Sequence, residues 1–176
     1  MKRRGIRKRL ARVASYSRTL VRVRHFRGRK VHSPFVYGIV RNAIMKTTPQ
    51  GDDHALFDEL RRRGFSTRRA AQLQNLYTFK GYTSAVFAEG AGVGAALDAG
   101  TLCFITPALP EQDTIALVER ARGTGAALCL TSPYENRARR RLARTLVDSH
   151  RHTSVDNSGF LLLFTDKRLP KQHFKL

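Results

Sequence analysis

The chain of 176 residues is long enough for one globular domain with an extension, and its 41% hydrophobic content supplies a core, which excludes global disorder. Its formal charge of +20, from 33 Lys and Arg against 13 Asp and Glu, points to polyanionic partners. No run approaches the roughly 18 apolar residues of a membrane span, so no transmembrane segment is expected, and two cysteines set in apolar strand-like runs suit a reducing, cytoplasmic setting.

The charge is unevenly placed, because residues 1–30 hold 13 of the basic side chains and no acid. Within that arm Ile6, Leu10, Val13 and Leu20 fall near one helical face among arginines, which predicts a basic amphipathic helix. Lys2, Arg3, Arg4, Arg7, Lys8, Arg9 and Arg12 are the expected contacts to a polyanion such as RNA. The helix itself is expected to dock on the protein's own domain, because its apolar stripe needs a home, with nucleic acid and an anionic membrane surface as the alternatives.

Residues 31–80 read as an all-helical section. In VHSPFVYGIVRNAI, Ser33 is a natural N-cap and Pro34 a natural first helical residue, since the missing N–H has no partner there in any case. Phe35, Val36, Ile39, Val40, Ala43 and Ile44 then follow the helical period, and a structural role suffices for His32 at this start. HALFDELRRR predicts a second helix, and RRAAQLQNLYTF a third, with Thr67 as its cap.

Residues 81–176 alternate short strands and helices. SAVFA, TLCFIT and AALCLT read as strands, GVGAALDA and PEQDTIALVERA as helices, the latter opened by Pro110. Ser132-Pro133-Tyr134-Glu135 combines an N-cap, a first-position proline and a Ser-x-x-Glu capping box, predicting a helix from there to about Val147. His150 and His152, between helix and strand, are expected in solvent. RHTSV and FLLLFT flank the turn formers Asp156-Asn157-Ser158-Gly159 and predict an antiparallel hairpin, after which KRLPKQHFKL reads as a basic tail. The expected fold is α/β: a truncated Rossmann-like sheet, mostly parallel, with a C-terminal antiparallel hairpin, preceded by the helical section.

SAVFAEGAGVGAAL carries the candidate site. Gly90, Gly92 and Gly94 alternate after an apolar run, with Glu89 against the first of them, and allow close backbone approach to a ligand before a helix N-terminus. The same glycines also suit a plain strand-to-helix turn, and the pattern is one residue out of register with the dinucleotide fingerprint. No Ser/His/Asp order, carboxylate pair or metal-ligand spacing accompanies it, so no metal is expected.

The whole resembles the class I S-adenosylmethionine-dependent methyltransferases. VHSPFVYGIV is similar to the HSPF-type opening of a methyltransferase-like family of Bacteroidetes bacteria. TSVDNSGFLLLFTDKRLPKQHFKL resembles that family's closing hairpin and KQHF terminus, and RRAAQLQNLYTF the helix before its first strand. The resemblance spans most of the chain from residue 31 and implies S-adenosylmethionine held by Glu89, Gly90, Gly92 and Gly94. Such domains order their strands 3-2-1-4-5-7-6, and SAVFA, TLCFIT and AALCLT match strands 1, 4 and 5. Strands 2 and 3 are then absent, together with the acid that bonds the cofactor ribose. Ile105-Thr106-Pro107 stands where the family has an Asp-rich segment. Thr131-Ser132-Pro133-Tyr134 echoes the Asp/Asn-Pro-Pro-Tyr motif of amino-methylating enzymes without its acid or amide. The resemblance therefore implies a shortened methyltransferase-like protein with reduced or lost catalysis, and the alternative is a non-catalytic RNA-binding protein acting through residues 1–30. A sheet edge left open by missing strands would be covered by the helices of 31–80 or by a second copy in a homodimer.

Overall fold

The computed structural model describes residues 33–90 and 96–176, so the basic arm, His32, Gly92 and Gly94 lie outside the described residues. Helix α1 (Pro34–Ile39) runs into a π-helical turn at Val40–Ile44, followed by α2 (Ala55–Arg62) and α3 (Thr67–Lys80). Strands β1 (Ser84–Ala88), β2 (Thr101–Ile105) and β3 (Ala127–Thr131) alternate with α4 (Glu111–Arg120) and α5 (Arg137–Ser149). The chain closes with β4 (Thr153–Asp156), β5 (Phe160–Phe164) and β6 (Gln172–Lys175). This is an α/β protein with one mixed sheet in the order β1-β2-β3-β5-β4-β6, in which β5 runs against both of its neighbours and the other pairs are parallel.

Strands β2, β3 and β5 are buried along their whole length, so both faces need cover. One face (Leu102, Phe104, Ala127, Cys129, Leu162 and Phe164) packs on the apolar sides of α1, the π turn, α2 and α3. The other (Cys103, Ile105, Leu128, Leu130, Leu161 and Leu163) packs on Leu117 and Val118 of α4 and Leu142, Ala143 and Leu146 of α5. The period-2 alternation of a strand thus sorts each apolar run between two helical layers. The helices of 31–80 lie on a face rather than along the β1 edge, although Arg63 sits 3.9 Å over the Phe87 ring of β1.

Buried amides fix the first layer. Gln72, Gln74 and Asn75 on α3 are at most 3% exposed. Gln74 accepts from the Phe57 N–H at 3.0 Å and donates to the Asp53 carbonyl at 3.0 Å, while Asn75 accepts from the Gln50 N–H at 2.7 Å and donates to the Thr48 carbonyl at 3.0 Å. Gln72 donates to the Ile44 carbonyl at 2.6 Å and accepts from Asn157 in the β4–β5 turn at 3.2 Å. These side chains supply the partners that buried polar backbone requires where a helix ends and a connection begins.

Several local expectations are corrected. Ser33 and Pro34 open α1 as expected, with the Ser33 hydroxyl accepting from the Val36 N–H. The cap of α3 is Ser66 rather than Thr67, because the Ser66 oxygen accepts from the Arg69 N–H and Thr67 is already helical. The helix expected from Ser132 begins instead at Arg137, capped by Asn136, whose side chain accepts from the Arg139 N–H at 2.8 Å. Ser132 has φ +48°, outside the extended conformation that an N-cap needs. The helix expected over 92–99 is not formed in its described part. There the Asp98 carboxylate accepts from the Gly100 N–H at 3.0 Å and the Thr101 hydroxyl at 2.6 Å, a turn that leads straight into β2. The basic tail contains β6, paired with β4 from Thr153↔Gln172 to Asp156↔Lys175. His150 is 2% exposed, against the expectation of solvent, and its Nε2 bonds the Phe164 carbonyl at 3.0 Å; His152 is half-buried against the Leu169 carbonyl at 3.2 Å.

Two measurements test this account. Replacing Gln72 by Leu strands the buried Ile44 carbonyl and is expected to lower stability by about 2 kcal/mol in urea unfolding. Burial lowers the His150 pKa, so the folded chain resists a proton that the unfolded chain accepts near its ordinary value of about 6.5. Stability is therefore full above about pH 6.5 and falls as the pH drops through that value toward the lowered one. The urea midpoint is expected to decline over this window, and to decline less in His150→Gln; His173, shifted in the same direction by burial, leaves the remainder.

Candidate functional site

The carboxyl ends of β1, β2 and β3 open into a crevice of about 380 Å³. Glu89 leaves β1, Thr106, Pro107 and Ala108 leave β2, and Ser132 and Glu135 follow β3, while Arg63, Phe65 and Arg69 face them from the α2–α3 region. In an open α/β sheet this is the end at which ligands bind, because the loops leaving parallel strands diverge there.

Each wall has a local cause. Gly90 takes φ +78°, so the chain turns sharply off β1, and a side chain there would meet open space. The Thr106 hydroxyl donates to the Ala88 carbonyl at 3.3 Å and accepts from the Ala108 N–H at 3.3 Å, pinning the turn after β2 to the end of β1. The Ser132 N–H donates to the Gly159 carbonyl at 3.3 Å and ties the turn after β3 to the hairpin. The Thr131 hydroxyl is turned inward, donating to the Ile105 carbonyl at 3.1 Å. At Gly159 a Cβ would run into the Arg69 guanidinium, so the glycine makes room for that cation at the mouth.

The electrostatics are set by arginines. Arg63 ion-pairs with both Glu59 and Glu89 while stacked on Phe87, so the Glu89 carboxylate already has a cationic partner. Beneath the crevice floor, Arg139 is 6% exposed and donates to the Ile105 carbonyl at 2.7 Å and the Thr131 carbonyl at 3.2 Å. Burial lowers its pKa and Glu135 opposes that shift. The guanidinium bridges the ends of β2 and β3, holding together the two strands whose turns form the crevice. Burial pushes the Cys103 thiol up to about 11 and raises Cys129 as well, so both are neutral packing groups near neutral pH rather than nucleophiles. Among the described residues no group of three or more His, Cys, Asp and Glu is placed to hold a metal ion, and no helix is long and apolar enough to cross a membrane.

Of the sequence-predicted site residues, Glu89 lines this crevice, Gly90 follows it in the turn off β1 without lining the crevice, and Gly92 and Gly94 fall outside the described residues. Arg63, Arg69 and Arg139 were not among the expectations. Arg139 had a signal: it shares the spacing of Leu142, Ala143 and Leu146 and so stands in the apolar stripe of its helix. Arg63 and Arg69 had none, since only the tertiary fold brings them to the ends of strands far along the chain.

The architecture defines an open-sheet α/β protein compatible with a Rossmann-like fold. Comparison finds no matching family model, no matching curated protein and no matching solved structure.

Replacing Arg139 by Met keeps the buried stem and removes the guanidinium. The Thr131 carbonyl then loses the guanidinium donor and the Ile105 carbonyl is left with the Thr131 hydroxyl, and thermal and urea unfolding are expected to show a loss of about 2 kcal/mol.

Proposed function

We propose that the chain is a class I S-adenosylmethionine-dependent methyltransferase-like protein of reduced fold, whose carboxyl-edge crevice is the remainder of a cofactor site and whose methyl transfer is reduced or lost. One observation carries this reading. The order β1-β2-β3-β5-β4, with β5 alone reversed, corresponds to the family order from strand 1 outward, 1-4-5-7-6, with strands 2 and 3 removed and β6 added beyond.

The residues present suit only part of the cofactor. Arg69 at the mouth offers a cation to the carboxylate of its amino-acid half. The adenosine half has no counterpart among the described residues: β1 is the outer strand, so no neighbouring strand end delivers an acid to the ribose hydroxyls, and Glu89 is already paired with Arg63. Thr131, at the position where amino-methylating enzymes hold their target nitrogen, spends its hydroxyl on the Ile105 carbonyl. The complete cofactor therefore does not fit this crevice.

A second reading is favoured by charge. With 13 of the 33 basic residues in positions 1–30 and no acid among them, the chain is suited to bind a polyanion such as RNA, with or without a ligand in the crevice.

Calorimetric titration with S-adenosylmethionine and S-adenosylhomocysteine tests the first reading. No saturating heat is expected below about 1 mM, a binding free energy near −4 kcal/mol. Binding near 1 µM that is lost in Arg69→Gln would show a complete site and overturn the claim that the crevice is a remainder.

A further inference from the structure

We propose that the outward face of α5 binds the phosphate backbone of single-stranded nucleic acid through Arg137, Arg140, Arg141 and Arg144. The proposal rests on the polyanion reading and gives it a folded surface distinct from residues 1–30. All four arginines are exposed and recur at i, i+3, i+4 and i+7, so they share one side of the helix over about 10 Å of its length. The opposite side is Arg139, Leu142, Ala143 and Leu146, buried against the sheet. The helix is therefore held rigidly, and its apolar stripe is already used, leaving nothing to insert among lipid tails.

Like charges at these spacings repel, and a merely solvated helix usually intersperses acids to relieve them. Here the relief is slight. Arg137 and Arg144 make no ion pair among the described residues, and Arg141 reaches Glu111 of α4 only at 3.9 Å in an exposed contact. Glu135 precedes the helix, Asp148 lies in its last turn, and Asp156 is held by the Tyr134 hydroxyl beside Arg140. A row of guanidinium forks with a net positive field matches a chain of phosphates in both geometry and sign. Beside it stands the ring of Tyr134, 37% exposed, with Arg140 at 6.0 Å from its centroid and its hydroxyl donating to Asp156. An anchored aromatic face next to phosphate-binding arginines suits an unpaired base, which favours a single strand over a duplex.

The test is fluorescence anisotropy of a labelled single-stranded RNA, longer than the roughly 4–16 nucleotides of a typical single-strand site, titrated with the full chain at several salt concentrations. Substituting Gln at Arg137, Arg140, Arg141 and Arg144 is expected to reduce the slope of log affinity against log salt by about 3, at roughly 0.7 per phosphate contact. A control that removes the same charge elsewhere, with Gln at Arg41, Lys46, Arg62 and Lys175, is expected to change the slope by less than about 1. Equal losses in both variants, or an α5 variant that binds like the parent, would overturn the proposal. In the second case the polyanion reading survives through the arm, whereas a parent chain that does not bind RNA sinks both. Should the fourfold variant fail to fold, R137Q/R144Q, which breaks no ion pair among the described residues, is expected to show about half the slope change. Vesicles containing phosphatidylserine separate lipid from nucleic acid: an α5 variant that loses vesicle binding but keeps RNA binding would assign this face to membranes and refute the proposal.

Discussion

Strands β2, β3 and β5 have no polar face, and this constraint shapes the molecule. A strand that is buried at every position must be paired on both edges and covered on both sides, or its backbone and side chains remain in contact with water or unpaired. The pairing comes from β1 and β4, which flank the apolar three, and the cover from α1–α3 on one side and α4–α5 on the other. Because β5 enters between β3 and β4 in the opposite direction, the hairpin turn at residues 157–159 comes to the same edge as the ends of β1, β2 and β3. The crevice is a consequence of that layering.

Arginine manages this edge in three ways. Arg139 is internal and bonds the strand-end carbonyls of Ile105 and Thr131, joining β2 to β3. Arg63 is interfacial, covering Phe87 while neutralising Glu89. Arg69 stands at the mouth over Gly159. A guanidinium can take all three roles because it is planar, stacks on aromatic faces and presents several donors on a long apolar stem. The same residue type is set outward on α5, in the exposed row of Arg137, Arg140, Arg141 and Arg144.

Much of the architecture was legible in local pattern. Three five-residue apolar runs, the Ser33-Pro34 start and the turn cluster at Asp156–Gly159 identified strands, a helix and a hairpin, because burial period, capping and turn chemistry act over a few residues. Errors arose where two local signals competed. Ser132-Pro133-Tyr134-Glu135 has the residues of a helix start, yet Asn136 takes the cap because Ser132 is held in a left-handed turn whose N–H bonds the hairpin at Gly159. Asp98 turned an expected helix into a direct entry to β2. The terminal QHFK segment carries no strand-like apolar run, and only the free edge of β4 makes it β6.

The sequence by itself determined which segments are apolar on one face or two, where the charge lies and which glycines free the backbone, since these follow from side-chain chemistry and near neighbours. Glu89 and Gly90 could be singled out on that basis. The tertiary structure alone decided that Glu89 meets Arg63, that His150 is buried, that Gln72 bonds both the π turn and the hairpin, and that four arginines of α5 face away from the sheet together. Those outcomes depend on which distant elements share a layer, and no local propensity encodes a contact between residues many positions apart.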